Sequence, residues 1–314
     1  MTTHDLGRTL IVANPAAHSG KGEAAVLFVM RFFSSNHFMA NSCEVRLTEG
    51  RGDAMRMASD AYEYDTVIAL GGDGITHEVV NGLMMIDEDV RPRLGLIPMG
   101  SGNDFARTLG MSKNDPERAV AELMDGEERT IDLGRVNGVF FTQTLSFGID
   151  AAIALDTVDR RDRNTMQSGA ILFVTSGIKI LLTALRGWPY EATIDGVRAK
   201  GTDIAFAVQN GPTYGGGFKI CPDARPNDGL LDLCYTMEKP SLPHSLLLFG
   251  LVRLGRHTRS RKLFLRKVRH VEVEFPGEEQ PPCQIDGETL AADRYEIDVM
   301  PSALRVIVPT SCPW

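Results

Sequence analysis

The 314 residues carry 43% apolar and 24% charged side chains, ordinary values for a globular protein with a sizeable core and enough length for two domains. A net charge of −8 argues against a general nucleic-acid binder. Five scattered cysteines without a CxxC pair argue against a disulfide framework and a structural zinc site, and fit a reducing, cytoplasmic setting.

The opening MTTHDLGRTLIVANP lacks the charged leader and apolar core of a signal peptide. Strand and helix patterns then alternate. TLIVANP (9–15) is an apolar strand-like run, EAAVLFVMRFFSS (23–35) predicts a helix, CEVRLTE (43–49) a strand and GDAMRMASDAYE (52–63) a helix. TVIALGGDG (66–74) is a strand with its turn, and THEVVNGLMM (76–85) a helix. RLGLIPMGSG (93–102) repeats the design before the helical NDFARTLG (103–110). Continuously apolar strands joined by helices predict a doubly wound α/β domain around a parallel sheet.

After about Glu128 the pattern becomes strand, turn, strand. RTIDLGRVNGVFFTQTLSFGID (129–150) reads as paired strands with VNG as the turn. Further strands are expected within 190–210, 230–237, 267–275, 282–290, 294–300 and 304–309, interrupted by helices near 165–186 and 242–256. Short strands with Gly and Asn turns predict an antiparallel sandwich or barrel. The expected division is 1–130 and 131–302. The longest apolar stretch, ILFVTSGIKILLTAL, is interrupted by Lys179 and is too short to span a bilayer.

Ligands of open α/β sheets sit beyond the carboxyl ends of the strands. Three such ends here are NPAAHSGKG, GGDGITHE and MGSGNDFA. Glycines permit close backbone approach, and N–H groups at a helix start attract phosphate. Neither the Walker A nor the GxGxxG fingerprint fits. Asp73 inside a phosphate cradle makes sense if Mg²⁺ lies between it and the phosphates, or as a cap of the helix beginning near Thr76. The metal reading is preferred, because Asp73 and Thr76 would otherwise be redundant caps. QIDGETL places Asp286 and Glu288 about Gly287, as a hairpin turn or as carboxylates that accept a hydroxyl proton in phosphoryl transfer. RLGRHTRSRKLFLRKVR (253–269) holds eight basic residues and no acid, either a solvated strand face or a contact with an anionic partner.

In NPAAHSGKG, LTEGRGDA, GGDGITHEVVNGL, IPMGSGNDFAR, GGGFKICPDARPNDGLLDL and IDGE, in this order across nearly the whole chain, the sequence resembles the soluble bacterial diacylglycerol kinases and related lipid kinases. The sphingosine and ceramide kinases share that family's catalytic domain. The resemblance implies an ATP site built from Asn14, Pro15, Ser19, Gly20, Thr48, Gly71, Gly72, Asp73, Gly74, Ile75, Thr76, His77, Ser101, Gly102 and Asn103, with Asp73 acting through Mg²⁺. It implies a β-sandwich carrying the lipid site in the cleft between domains, with Glu288 as base and Asp286 beside it. It also implies a structural Mg²⁺ loop in ARPNDGLLD, using backbone oxygens of Arg225 and Leu230 and the carboxylate of Asp228. Asp132 matches a family acid linked to the active site. The resemblance further implies that the strand near 303–309 returns to the first domain. One departure is Ile75, where the family motif has threonine and therefore a hydroxyl near the phosphates.

The expected activity is an ATP- and Mg²⁺-dependent lipid kinase acting on diacylglycerol or a related lipid, in peripheral contact with a membrane surface. A homodimer is compatible with these features, and no nucleic-acid partner is expected. The alternatives are a NAD kinase-like enzyme, disfavoured by SGNDFAR and DGE, and a non-catalytic nucleotide or lipid sensor, suggested only by Ile75.

Overall fold

The computed structural model describes residues 5–17, 20–35, 42–162 and 169–314. They form two compact units, Met1–Ile131 with Ser302–Trp314, and Asp132–Pro301.

The first unit contains β1 (Thr9–Ala13), α1 (Lys21–Ser35), β2 (Cys43–Leu47), α2 (Asp53–Ser59), β3 (Thr66–Gly71), α3 (Asp73–Leu83), β4 (Arg93–Pro98), α4 (Asp104–Leu109) and α5 (Pro116–Met124). The strands run parallel in the order β2-β1-β3-β4. Every residue of β1 and β3 is buried, which is why both read as unbroken apolar runs. The connection from β1 runs outward to β2 and that from its neighbour β3 runs the other way to β4, the topology that opens a crevice at the carboxyl edge. The sequence pattern missed α5. Its start was nonetheless written there: Pro116 occupies the first turn, and the Asp115 side chain accepts from Arg118 N–H.

The chain continues with β5 (Glu127–Val136), β6 (Val139–Phe141), β7 (Thr144–Gly148), α6 (Ile149–Asp162), α7 (Gly169–Ala184), β8 (Trp188–Ile194), β9 (Val197–Asp203), β10 (Ala205–Gln209), β11 (Leu231–Tyr235), α8 (Leu242–Leu254), β12 (Phe264–Val268), β13 (His270–Glu274), β14 (Cys283–Ile285), β15 (Glu288–Thr289) and β16 (Arg294–Val308). In the second unit one antiparallel sheet has the order β12-β11-β10-β7-β14-β15. In the other, β13 pairs antiparallel with both β8 and the first half of β16, and β9 pairs with β8. Their apolar faces meet in one core. The Phe147 ring of β7 lies 4.6 Å from Tyr295 of β16, and Tyr190 of β8 lies 5.6 Å from Phe206 of β10. This is the expected sandwich. Strand β8 alternates buried with less buried residues, the period-2 pattern of a sheet with one face on the core.

The expected turn at 136–138 is present, with Asn137 and Gly138 at φ 48° and 89°. The helix expected near 165–186 appears as α7, while residues 163–168 lie outside the described residues. Helix α6 was not anticipated. It starts directly at the end of β7, where Gly148 at φ 80° turns the chain, so its first residues read as more strand. The end of β16 lies in the first unit, where Val306 pairs parallel with Leu94 of β4. Among the described residues no helix is long and apolar enough to cross a membrane.

Candidate functional site

In the first unit the unusual residues collect where the parallel strands end. After β1, Asn14 N–H continues the ladder to Leu70 O at 3.0 Å, and Asn14 Oδ1 accepts from Ala16 N–H at 2.9 Å. The chain then turns through Pro15 and Ala17 towards Gly20 at φ 90°. Ser19 lies outside the described residues. After β2, Thr48 N–H donates to Ala13 O at 2.9 Å, which holds Thr48 beside the end of β1.

The turns after β3 and β4 interlock. Met99 N–H donates to Gly71 O at 2.7 Å. Gly72 and Gly100 approach so closely that a Cβ on Gly100 would lie 2.5 Å from Gly72 Cα. Only glycine tolerates that distance. Asp73 locks the pair. Its Oδ2 accepts from Asn103 N–H at 2.7 Å, and its Oδ1 accepts from Asp104 N–H at 2.8 Å and Phe105 N–H at 3.4 Å. Asp73 therefore caps α4, thirty residues on, and not the helix that follows it in sequence. The alternative reading, in which Asp73 caps the helix beginning near Thr76, does not match the structure: α3 begins at Asp73 itself, behind Gly72. Thr76 donates its hydroxyl to Gly72 O at 3.1 Å. His77 is buried, and its carbonyl accepts from Asn81 Nδ2 at 2.9 Å.

Burial, and then the neighbouring Asp104 carboxylate, push the Asp73 carboxyl up to about 6, although its three N–H bonds pull the other way. Arg107 Nε lies 3.6 Å from Asp104 Oδ1 and offsets part of the negative charge. A close pair of largely dehydrated acids fits a divalent cation, because the cation supplies the charge that favours their ionised forms. The N–H groups of Asp73, Gly74 and Ile75 precede the first helical bond of α3, from Thr76 N–H to Gly72 O, and form the donor end of that helix.

Ile75 is a packing residue. Its side chain is 8% exposed, and its Cγ2 covers Gly71 at 2.6 Å from where a Cβ would stand. The side chain offers nothing polar to a phosphate, so its place in a nucleotide site is limited to its backbone. Ser101 and Gly102 remain partly exposed on the second turn, whereas Asn103 is buried at φ 51° and donates through Nδ2 to Gly100 O at 2.8 Å. Asp104 was not singled out from sequence. The signal was its place directly after Asn103, at the first position of a helix.

In the second unit the turn between β14 and β15 has Asp286 and Gly287 at φ 48° and 95°. Asp286 was expected beside Glu288, the base toward the lipid hydroxyl, and its carboxylate is closely bound within the protein. Its Oδ2 accepts from Thr142 N–H at 2.7 Å and the Thr142 hydroxyl at 3.1 Å, while its Oδ1 accepts from Gln143 N–H at 3.0 Å and Thr144 N–H at 2.9 Å. Four donors occupy the lone pairs of one carboxylate, so Asp286 fixes the hairpin against β7. Glu288 is half-buried on β15, opposite Ile285.

Of Arg225, Asp228 and Leu230, expected to hold a structural Mg²⁺ through two backbone oxygens and one carboxylate, the carboxylate already has partners within the protein. Both Asp228 oxygens are engaged, Oδ1 by Leu230 N–H at 3.1 Å and Oδ2 by Lys267 Nζ at 2.6 Å. Asp132 supports the same loop by accepting from Gly229 N–H at 2.7 Å. Among the described residues the one convergent group of three metal-type ligands is His270, Glu296 and Asp298. There Asp298 is already paired with Arg135 at 3.1 Å and His270 at 2.8 Å.

Residues 8–136 match the diacylglycerol kinase catalytic domain, and residues 143–308 match the YegS C-terminal NAD kinase beta sandwich-like domain. The chain is 34% identical to a diacylglycerol kinase of Bacillus subtilis over 76% of both chains. It is 31% identical to a diacylglycerol kinase of Mycobacterium tuberculosis over 98% of this chain and 96% of that one. A YegS-like lipid kinase of Cronobacter sakazakii is 32% identical over 86% and 87%. The crystal structure of a diacylglycerol kinase from Bacillus anthracis superposes with a TM-score of 0.77 at 21% identity, covering 98% of this chain and 99% of that one, a likeness of fold.

Proposed function

This chain belongs to the family of diacylglycerol kinases and YegS-like lipid kinases, and on that premise we propose that it transfers the γ-phosphoryl group of ATP to the hydroxyl of diacylglycerol or a related lipid. The observation that carries the reading is the interlocked pair of glycine turns after β3 and β4, held by Asp73 beside the donor end of α3. Backbone N–H groups and a helix start at the carboxyl edge of a parallel sheet suit the phosphates of a nucleotide. Asn14, Thr48 and Ser101 line the same edge and are assigned to the nucleotide.

The lipid hydroxyl oxygen attacks the γ-phosphorus in line. A new P–O bond forms, the bond to the β–γ bridging oxygen breaks, and ADP leaves. Glu288 accepts the hydroxyl proton. Asp286 keeps the Glu288 hairpin in register, and Asp73 holds the two glycine turns together. Mg²⁺, when bound, supplies positive charge to the β- and γ-phosphates, and Asp73 and Asp104 are the residues that would hold it.

An acceptor dissolved in a bilayer requires contact with a membrane surface. Helix α8 exposes Leu247 and Leu254, by 58% and 60%, and Arg256, Arg259 and Arg261 follow within a few residues, all exposed. We assign this stretch to peripheral docking on anionic lipid, where each basic residue contributes about 1 kcal/mol. The described cysteines are all free, which suits a cytoplasmic protein. The reading is tested by incubating purified protein with Mg²⁺ and γ-labelled ATP against diacylglycerol, phosphatidylglycerol, sphingosine and NAD separately. Label on a lipid hydroxyl is expected. Label on NAD alone, or none on any acceptor, contradicts it.

A further inference from the structure

We propose that the Lys267 ammonium takes the place of a structural metal ion in the loop 223–230, so that the second unit keeps its fold without a bound divalent cation. Three observations carry this. First, Lys267 is placed by the sheet and not by the loop. Strands β11 and β12 pair antiparallel with Asp232 directly opposite Lys267, so both side chains leave the same face. Second, that register delivers one ammonium to two carboxylates, 3.1 Å from Asp232 Oδ2 and 2.6 Å from Asp228 Oδ2. The other Asp228 oxygen is engaged by Leu230 N–H, which closes the turn. Third, the loop is secured from its other side by Asp132, whose N–H donates to Pro226 O at 2.6 Å and whose Oδ2 accepts from Gly229 N–H.

Mg²⁺ requires near-octahedral oxygen ligands at about 2.0–2.1 Å. The carboxylate it would take from this loop is already shared with a cation, which would also repel it. The covalently attached charge does what a bound ion would do: it neutralises Asp228 and Asp232 and ties the loop to the adjacent strand. Asp232 and Asp228 are 14% and 26% exposed, sheltered enough for the pairing to be held in one geometry. The inference concerns folding of the second unit and stands apart from phosphoryl transfer.

The test is thermal melting of nucleotide-free protein stripped with EDTA. The shift in melting temperature between EDTA and millimolar Mg²⁺ is expected to be the same in the wild type and in Asp228→Asn, so that any cation held at Asp73 and Asp104 cancels. Stripped protein that melts lower and is restored by Mg²⁺, with the restoration lost in Asp228→Asn, overturns the proposal. Lys267→Met keeps the aliphatic stem and removes the charge. It is expected to melt lower than the wild type in EDTA and to recover in part on adding Mg²⁺, because Asp228 and Asp232 are then open to a cation. A Lys267→Met protein that melts like the wild type in EDTA also overturns it. The comparison of the wild type with Asp228→Asn decides by itself if Lys267→Met does not fold.

Discussion

Asp73→Asn separates the two roles assigned to Asp73, because its effects on stability nearly cancel while its effect on the nucleotide does not. In the folded protein the carboxyl is pushed from 3.8 up to about 6, chiefly by burial and then by Asp104. A folded pKa above the unfolded one means that the folded state holds the proton more tightly. Through this group, stability is greatest below about pH 4 and is lost as the pH rises to about 6. At neutral pH the ionised form costs about 3 kcal/mol, at about 1.4 kcal/mol per unit. The carboxamide removes that cost. It also replaces one accepting oxygen by an NH₂ group, facing either Asn103 N–H or the N–H groups of Asp104 and Phe105. An orphaned buried donor costs about 1–3 kcal/mol. The variant should therefore melt close to the wild type at neutral pH and fall below it near pH 4.5, where the wild type no longer carries the full charge. The lost negative charge weakens metal and nucleotide binding, so kcat/KM for Mg²⁺-ATP should drop by at least about 10-fold. Melting curves at the two pH values and steady-state kinetics check both halves. Unchanged kinetics, or a large loss of stability at neutral pH, would refute the reasoning.

Gly100→Ala forces a Cβ to within 2.5 Å of Gly72 Cα and should cost about 1–3 kcal/mol together with most ATP binding, whereas Gly50→Ala meets nothing within 4 Å and should be nearly silent. Equal melting temperatures and ATP affinities for the two would contradict the interlocked turns. Ile75→Thr puts a hydroxyl into a buried site and should lower the melting temperature by an amount equivalent to about 1–2 kcal/mol, with kcat/KM for ATP unchanged or reduced. A gain in ATP kinetics would show that position 75 reaches the phosphates. Burial pushes Asp203 up to about 7 while its Oδ1 accepts from Ala205 N–H and Thr236 N–H. Its contribution to stability is therefore lost as the pH rises from about 4 to about 7, with a slope of up to about 1.4 kcal/mol per unit. Asp203→Asn keeps Oδ1 as an acceptor and should remove that slope, and parallel stability–pH curves for variant and wild type would disprove it.

What the sequence made legible follows from where the physics is local. Buried parallel strands cannot hide, because nearly every residue must be apolar, and β1, β3 and β4 stand where TLIVA, TVIALG and RLGLIP predict. Asn137-Gly138 and Asp286-Gly287 are turns because few other pairs accept positive φ in succession. Ile75 and Asp73 were harder. The β-branched Ile75 is equally at home in a core and at the start of a helix, and only its contact with Gly71 decides for packing. The partners of Asp73 lie thirty residues away, and no local pattern announces a cap supplied by another strand's turn. The same holds for Asp286, whose four donors come from residues 142–144, and for Lys267, whose partners come from the facing strand and the loop before it. The contacts of Asp73, Asp286 and Lys267 needed the fold, because each is made with residues distant in sequence.

The central claim is transfer of phosphate from ATP to a lipid hydroxyl with Glu288 as base. Its most direct measurement is the rate of γ-labelled phosphate transfer to diacylglycerol in mixed micelles, comparing wild type with Glu288→Gln at saturating Mg²⁺-ATP. The wild type should label diacylglycerol. Glu288→Gln should lower kcat by about 10²–10⁴-fold, with ATP binding and melting temperature retained. Label transfer by Glu288→Gln at the wild-type rate, or its absence from the wild type across the lipid acceptors, would contradict the account.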